Sequence, residues 1–362
     1  MSRKRQRTSY DKTMKKIKKK DIGNLLRQWQ SDFAVFTPSR KSGTARMEEW
    51  DGQDTSFLEW YRNTVIPPKG NIFPNMEEMF SFHKDGEGYH LELPAQDEAK
   101  HLIFAIRPCD ARALKIIDPV FQDAYEDNYY LTRRENTLLV GLGCTDPHES
   151  CFCTSLGISP GESGDVDLML TDIGEEFSIE EVTEKGKELL ARTEGLVEAA
   201  QPDELRTRES REAAAKKISR KLDTTNLKER LLSSFEDKEF WEKAAAKCIS
   251  CGICTFLCPT CYCFDINDET SGGNGTRFRS WDSCSFSVYT KMPAENPRED
   301  KWQRVRQKVC HKYEFYPRLF DITACTGCGR CIRLCPVNWD ITRVLESVPE
   351  ETTAQKENRN AN

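Results

Sequence analysis

Residues 248–259 read CISCGICTFLCP, and the same spacing of cysteines returns at residues 325–336 as CTGCGRCIRLCP. Both copies have the pattern C-x2-C-x2-C-x3-C-P, which holds [4Fe-4S] clusters in bacterial ferredoxins. The first three cysteines of one copy bind one cluster, and the fourth binds the other cluster. The repeat therefore predicts two clusters, with cluster I on Cys248, Cys251, Cys254 and Cys335 and cluster II on Cys325, Cys328, Cys331 and Cys258.

A pair of structural zinc sites is the alternative interpretation of these cysteines. C-x2-C pairs also bind zinc, with four ligands to each ion. Two tandem quartets that each end in proline favour clusters over zinc. Gly252 and Gly329 permit a tight turn within each loop, where backbone N–H groups can face cluster sulfurs and raise the reduction potential.

Length, composition and charge limit the class of protein. The chain has 362 residues, 16 cysteines and a formal net charge of -6. Sixteen cysteines in a chain with no signal peptide and no apolar run near 18 residues predict a cytoplasmic protein. We expect it to use its thiols as metal ligands and not to insert directly into a membrane. Residues 1–20 carry ten Lys/Arg against one Asp, whereas the rest of the chain is acidic.

The composition changes along the chain predict an α+β protein in five segments. An N-terminal α/β sheet domain is joined by a helical linker to a C-terminal ferredoxin-like domain with a long insertion. We expect the basic arm to be solvated or to dock on an acidic partner protein, rather than to bind nucleic acid, because no DNA-binding motif accompanies it. The segments are the flexible arm 1–20, the α/β domain 21–178, the linker 179–246, the two-cluster domain 247–348 and a disordered tail 349–362.

The α/β domain is predicted from unbroken apolar runs of strand length at residues 102–106 and 137–141. Residues 113–117 between them have helical spacing, so the order is that of a parallel β-α-β unit, whose buried strands are apolar throughout. Residues 166–170 and 178–182 predict further strands. Alternating apolar residues at 80–82 and 89–93 predict a hairpin at a sheet edge.

Four more cysteines follow the predicted strands: Cys109, Cys144, Cys151 and Cys153. Loops at the carboxyl ends of parallel strands converge at one edge of a sheet. We therefore predict a third [4Fe-4S] cluster on these cysteines, with Arg107 close enough to offset its charge. A zinc site and buried free thiols remain as alternatives.

The insertion between Cys258 and Cys325 carries four further cysteines, of which Cys261, Cys263 and Cys284 are considered first. With Cys310 or His311 they could form another ligand set. We expect them instead to pack as thiols near cluster II. The arginines and aromatic residues of the insertion suit a docking face. The sequence contains no acid/base pair or nucleophile motif, so we assign no catalytic residue.

Several motifs in combination resemble one known family of iron–sulfur subunits, which includes those of anaerobic sulfite reductase and the beta subunit of soluble sulfhydrogenases. The resemblance covers about residues 100–345. It rests on RPCDARA at 107–113, Cys144 followed by CFCTS at 151–155, CPTCYCFD at 258–265, WDSC at 281–284, NPR at 296–298 and CGRC at 328–331. The resemblance implies that the strand-end cysteines bind a cluster.

The resemblance also implies a function and partners. Members of that family carry electrons between a terminal reductase or hydrogenase and an NAD(P)H-oxidising subunit that contains flavin and a [2Fe-2S] cluster. Related proteins occur beside heterodisulfide-reductase-like complexes. We therefore expect a relay subunit of an anaerobic oxidoreductase, without flavin of its own. One alternative is an enzyme that reduces a sulfur compound or disulfide through the Cys261/Cys263/Cys284 region. The other is an iron–sulfur sensor with its basic arm on nucleic acid.

Overall fold

The computed structural model describes residues 15–95, 99–193, 195–199 and 203–350, which form two sheets and a set of mostly short helices. The strands are β1 Lys15–Lys18, β2 Ala34–Ser39, β3 Arg46–Glu49, β4 Met76–Lys84, β5 Tyr89–Glu92, β6 His101–Ile106, β7 Thr137–Leu142, β8 Leu168–Asp172, β9 Glu176–Glu181, β10 Glu198–Ala199, β11 Phe264–Ser271 and β12 Asn274–Trp281. The α-helices are α1 Ile22–Trp29, α2 Phe57–Trp60, α3 Pro108–Phe121, α4 Asn128–Glu135, α5 Glu184–Ala191, α6 Glu204–Lys216, α7 Leu227–Ser233, α8 Lys238–Ala245, α9 Ile253–Phe256, α10 Lys301–Cys310, α11 Tyr316–Phe320, α12 Arg330–Arg333 and α13 Ile341–Glu346.

The larger sheet has eight strands in the order β10-β1-β9-β8-β7-β6-β2-β3. Its centre, β2-β6-β7-β8, is parallel, and the outer pairs are antiparallel. All six residues of β7 are buried, which explains the unbroken apolar run in the sequence. The predicted β-α-β unit is confirmed as β6-α3-β7, and the strand predicted at 166–170 begins two residues later, at Leu168.

The predicted flexible arm 1–20 is wrong for its last residues. Lys15–Lys18 form β1, which pairs with β9 and β10. Ile17 is buried in the core, and the lysines lie beside acidic residues, with Lys15 Nζ 2.7 Å from Glu181 and Lys19 Nζ 2.8 Å from Asp172. The burial of Ile17 and these ion pairs hold the segment on the sheet. Residues 1–14 lie outside the described residues.

The predicted helical linker 179–246 is not a separate segment either. Its first residues complete β9, and α6 packs on the large sheet, where Arg211 is 3.0 Å from Glu180. Helices α7 and α8 instead contribute to a second apolar core with α10 and α13, built around Trp241 and Trp339. Helical periodicity predicts most of the segment correctly, but it contains no sign that the helices pack on two different cores.

The second sheet is antiparallel, in the order β11-β12-β4-β5. The predicted hairpin is confirmed as β4 and β5. Its neighbour β12 comes from the insertion of the ferredoxin-like domain, so the predicted domains 21–178 and 247–348 share this sheet. Buried Arg279 fixes the junction, because its guanidinium pairs with Glu77 of β4 and with Asp127.

Helix α13 is the last helix of the described residues, and it confirms the helix predicted around 341–345. The tail predicted to be disordered begins at residue 349, and residues 351–362 lie outside the described part of the chain. No helix among the described residues is both long enough and apolar enough to cross a membrane.

Candidate iron–sulfur sites

The four cysteines predicted for cluster I line one cavity: Cys248, Cys251, Cys254 and Cys335. Three of them come from the loop before and within α9, and Cys335 comes from the second copy of the motif. Backbone N–H groups already point at two of the sulfurs, since Ser250 N lies 3.4 Å from Cys248 Sγ and Trp339 N lies 3.2 Å from Cys335 Sγ. Such donors stabilise thiolate ligands.

Gly252 shapes the cluster I loop. Its φ is +78°, in the left-handed region, and a Cβ at this position would lie 2.7 Å from the Phe286 ring. Another residue would therefore be strained and would also clash with the insertion. The glycine allows the segment after β12 to close over the loop that presents Cys251 and Cys254.

The cysteines predicted for cluster II surround a buried lysine and tyrosine. Lys312 Nζ lies 3.3 Å from Cys258 Sγ, and the Tyr313 side chain lies beside Cys325. Burial raises the pKa of Cys325 to about 11, although the charge of Lys312 opposes it. Burial also raises the pKa of Cys331, whose neighbours include Cys325 and Cys258. These thiols lie together and need positive charge to ionise.

Lys308 supplies a second buried cation, one helical turn before Lys312. Burial acts to lower the pKa of Lys308, but the thiolates of Cys254 and Cys331 outweigh it and raise that pKa above its usual value. Burial also acts to lower the pKa of Lys312, but neighbouring thiolates, Cys258 first, outweigh it and raise that pKa. The two ammonium groups therefore face the two predicted clusters from one side of α10 and its π-helical extension.

Sequence reasoning gave these two lysines no role at the clusters. Lysine is almost never fully buried without a partner. The available signal was their spacing of four residues, which puts both on one helical face with the apolar Val305 and Val309 nearby.

A second cavity is lined by all four strand-end cysteines: Cys109, Cys144, Cys151 and Cys153. Cys109 lies in the first turn of α3, Cys144 follows β7, and Cys153 begins a short 3-10 helix. The parallel sheet thus brings three separate loops together, as predicted. We refer to these four residues as the strand-end set.

Burial makes the strand-end set hard to ionise. Burial and, after it, the charge of neighbouring thiolates together raise the pKa of Cys151 to about 11 and that of Cys153 to about 12. Burial also raises the pKa of Cys109 well above its usual value. Four thiolates can therefore coexist in this cavity only with a compensating positive charge, which a bound metal centre supplies.

Arg107 lies in the wall of this cavity, as predicted, and its hydrogen bonds go to the backbone. Its guanidinium donates to the carbonyl oxygens of Gly143 at 2.6 Å, Leu142 at 3.1 Å, Arg62 at 2.5 Å and Tyr61. Burial raises the pKa of Cys144, and the charge of Arg107 opposes that rise. Arg107 thus holds the loops around Cys144 in place and also contributes positive charge.

The spacing of the thiols argues against zinc. Tetrahedral zinc with bonds of about 2.3 Å places its sulfur ligands about 3.8 Å apart. Within the part of the chain that the structure describes, we searched for three or more ligand atoms of His, Cys, Asp or Glu within 4.8 Å of one another. Such atoms belong to His83, Asp85 and His90, and no cysteine is among them. No three thiols of these cysteine sets therefore lie as close together as a single tetrahedral zinc ion requires.

The cluster II loop forms part of the wall of the strand-end cavity. Cys328 and Gly327 line it, the Cys151 thiol is 3.6 Å from the carbonyl oxygen of Cys328, and the N–H of Phe152 donates to Gly327 O at 2.8 Å. A Cβ on Gly327 would lie 2.6 Å from Cys153 N, so only glycine allows this approach.

A buried ion pair fastens the same two loops. Arg330, between Cys328 and Cys331, donates to both carboxylate oxygens of Asp110, at 2.6 and 2.8 Å, and both side chains are fully buried. Its remaining donors bind the Thr64 carbonyl and hydroxyl oxygens. Asp110 directly follows Cys109, so this pair joins a predicted cluster II loop to the strand-end set. Sequence reasoning did not identify it.

Among the described residues, the remaining cysteines and His311 do not bring three ligand atoms within 4.8 Å of one another. Cys310 lies in the second apolar core, where burial raises its pKa to about 12. His311 is hydrogen-bonded to the Tyr262 hydroxyl at 3.0 Å, and burial lowers its pKa to about 4. Cys261 hydrogen-bonds the sulfur of Cys258, in keeping with the predicted thiol beside cluster II.

Comparisons with known proteins agree with these sites. The family described as a 4Fe-4S dicluster domain matches residues 247–339, a range that contains all eight predicted ligands of clusters I and II. Sulfhydrogenase 2 subunit beta from Pyrococcus furiosus is 32% identical over 321 residues, which cover 87% of this chain and 92% of the relative. The match confirms the resemblance that the motifs indicated, and the dicluster domain supports two [4Fe-4S] clusters.

Proposed function

The chain belongs to the family of sulfhydrogenase beta subunits, and from that premise we propose that it relays single electrons between two partner subunits of an oxidoreductase complex. It is an iron–sulfur electron-transfer subunit with a dicluster domain. When bound, [4Fe-4S] clusters supply one-electron chemistry, and the protein sets their position and electrostatic surroundings.

The observation that carries the proposal is the continuous arrangement of three cysteine sets. Lys308 lies between Cys254 of the cluster I set and Cys331 of the cluster II set. Cys328 belongs to the cluster II set and also lines the strand-end cavity. We therefore propose a third [4Fe-4S] cluster on Cys109, Cys144, Cys151 and Cys153, in the order cluster I, cluster II, third cluster.

Both ends of this row reach the surface. At cluster I, Cys251 is exposed and its neighbour Ile249 is 59% exposed, which suits an apolar contact with a partner. At the other end, Arg62 and Asp146 stand at the mouth of the strand-end cavity. We propose that an NAD(P)H-oxidising flavoprotein subunit with a [2Fe-2S] cluster docks at one end. A terminal reductase, hydrogenase or heterodisulfide-reductase-like subunit would dock at the other.

The role of this chain's own residues is to manage charge along the row. Adding an electron makes a cluster more negative, and a nearby ammonium group stabilises that charge and raises the reduction potential. Lys308 and Lys312 are placed for this at clusters I and II. The polypeptide of this subunit needs no acid, base or nucleophile for the relay.

Counting iron and acid-labile sulfide on anaerobically purified full-length protein tests the third cluster. We expect about 12 irons per chain, in keeping with three cubanes. Cys153→Ser should reduce the count to about 8, whereas Cys310→Ala, which removes a buried thiol outside the three sets, should leave it unchanged. About 8 irons in the unmodified protein would contradict the third cluster and leave a two-cluster relay.

A further inference from the structure

The hairpin β4–β5 carries a group of polar side chains that the electron relay does not use. His83 of β4 lies directly opposite His90 of β5 in the antiparallel register. Residues opposite each other on neighbouring strands share a face of the sheet, and so do alternate residues of one strand. Glu92, two residues after His90, therefore lies on the same face as the histidines. Sequence reasoning predicted the hairpin but gave these side chains no role.

Ligand atoms of both histidines and of Asp85 in the adjoining turn converge on this face. One ring nitrogen of His83, one of His90 and one carboxylate oxygen of Asp85 all lie within 4.8 Å of one another. His90 Nε2 is 2.8 Å from Asp85 Oδ2, and the two imidazole rings are stacked, with their centroids 5.1 Å apart. The three side chains are 44–47% exposed, so an ion can reach these atoms directly from solvent.

The turn of the hairpin fixes the Asp85 carboxylate. Its Oδ1 accepts hydrogen bonds from the backbone N–H groups of Glu87 at 2.7 Å and Gly88 at 3.1 Å, and the Asp85 N–H donates to the Gly88 carbonyl oxygen at 3.0 Å. One carboxylate oxygen thus belongs to the turn, and the other, Oδ2, faces His90. A ligand that is already held in place loses little conformational freedom when it binds an ion.

We propose that His83, Asp85 and His90 bind a zinc ion at the tip of the hairpin. Zinc accepts two imidazole nitrogens and a carboxylate oxygen at about 2.0–2.2 Å, and a fourth position remains for water or for a ligand atom from outside the chain. Tetrahedral bonds of this length place the ligand atoms about 3.4 Å apart. The three side chains reach that spacing by rotations that move each ligand atom by less than about 1 Å, which their exposure permits. The bound ion ties β4 to β5 beside the turn.

Glu92 adds a second carboxylate beside this group. Its Oε1 lies 3.6 Å from His83 Nδ1. Histidines that bind metals commonly direct their other ring nitrogen at a carboxylate, which orients the ring and raises its basicity. Glu92 is therefore placed to orient His83 from outside the ligand group.

The zinc site is independent of the electron relay. None of its residues belongs to the three cysteine sets, and within the described residues β5 is the last strand of the smaller sheet, separated from the insertion strand β12 by β4. The proposal goes beyond electron transfer, and it stands or falls separately from the third cluster.

The test is equilibrium dialysis of the full-length, iron-loaded protein against micromolar Zn²⁺ under anaerobic conditions. We expect His83→Gln, His90→Gln and Asp85→Asn each to weaken the binding of one zinc ion per chain. The loss should exceed the roughly 10–100-fold that partners outside the ligand group contribute. Asp85→Asn keeps Oδ1 for the turn, so it removes the ligand without opening the hairpin. Glu87→Gln is the matched control, because Glu87 is exposed in the same turn and lies outside the ligand group.

X-ray absorption at the zinc edge separates this site from the cysteines. We expect the zinc to have nitrogen and oxygen neighbours at about 2.0–2.2 Å. Sulfur neighbours at about 2.3 Å, for the zinc ion that the variants lose, would place it on thiols and overturn the proposal. The proposal is also overturned if the protein retains no zinc, or if the histidine variants bind zinc as well as Glu87→Gln does. Iron content measured on the same samples should be equal in all variants, whatever it shows about the third cluster.

Discussion

The dicluster loops and the strand-end set handle the charge of their thiolates in different ways. In the dicluster loops, two buried lysines face the sulfurs, and Lys312 Nζ is 3.3 Å from Cys258 Sγ. In the strand-end set the cation beside Cys144 is Arg107, whose hydrogen bonds go to four backbone carbonyl groups rather than to sulfur, and Arg330 and Arg333 act on Cys109 and Cys151. We expect the dicluster centres to have the higher reduction potentials, because a direct ammonium contact stabilises the added electron more strongly.

Arg107→Met should have the largest effect, and it should affect the strand-end set rather than the dicluster loops. The substitution leaves four carbonyl groups, including those of Leu142 and Gly143, without their donor, at a cost of about 1–3 kcal/mol for each group that stays buried and unsatisfied. We expect the strand-end set to lose its metal, measured as a fall from about 12 to about 8 irons per chain. Loss of iron from the dicluster domain instead would show that Arg107 does not serve the strand-end set.

Arg330→Met tests how firmly the two regions are joined. Leaving Asp110 as an unpaired buried charge should lower the free energy of unfolding by about 3–5 kcal/mol, read from urea unfolding under anaerobic conditions. The double variant Arg330→Met, Asp110→Leu removes both charges and should recover most of the loss. A single variant as stable as the unmodified protein would mean that the ion pair does not hold the loops together.

Lys312→Met should shift one reduction potential without unfolding the protein. A hydrogen bond to a charged group contributes about 1.5–3 kcal/mol. This corresponds to a fall of roughly 65–130 mV for a one-electron couple, measured by redox titration with EPR detection. Lys301→Met is the matched control, because Lys301 lies on the same helix and donates to the Ala246 carbonyl. Equal shifts in both variants would contradict a specific role of Lys312.

The smallest effect concerns Cys263, a cysteine of the insertion outside the three cysteine sets. The pKa of Cys263 is lowered to about 6, so its thiolate persists at neutral pH, and its alkylation should slow as the pH falls below about 6. Lys69→Met removes one of the charges that lower this pKa, so the midpoint of the alkylation profile should move to higher pH. A profile that stays in place would show that Lys69 does not act on Cys263.

The two regions also differ in how much the sequence reveals. The eight dicluster cysteines repeat at fixed spacing, so their assignment to two clusters follows from the pattern alone. The strand-end set has irregular spacing, and its prediction needed the topology of a parallel sheet, which the unbroken apolar runs of β6 and β7 indicated.

The features that sequence reasoning missed are contacts between distant segments. Arg330 and Asp110 are 220 residues apart, and Arg279 and Glu77 are 202 apart. Local periodicity contains no information about such pairs. The same limit explains the wrong boundaries of the arm and the linker, because β1 pairs with β9 and β10, which are more than 150 residues away in the sequence.

The most direct test of the three-centre relay is spin quantification by low-temperature EPR during a dithionite reduction of the full-length protein. A three-centre relay should give three one-electron spins per chain. The spin lost in Cys153→Ser should also remove magnetic broadening from a neighbouring centre, since Cys328 lies in the wall between the two centres. Two spins in the unmodified protein, with a spectrum that Cys153→Ser leaves unchanged, would contradict it.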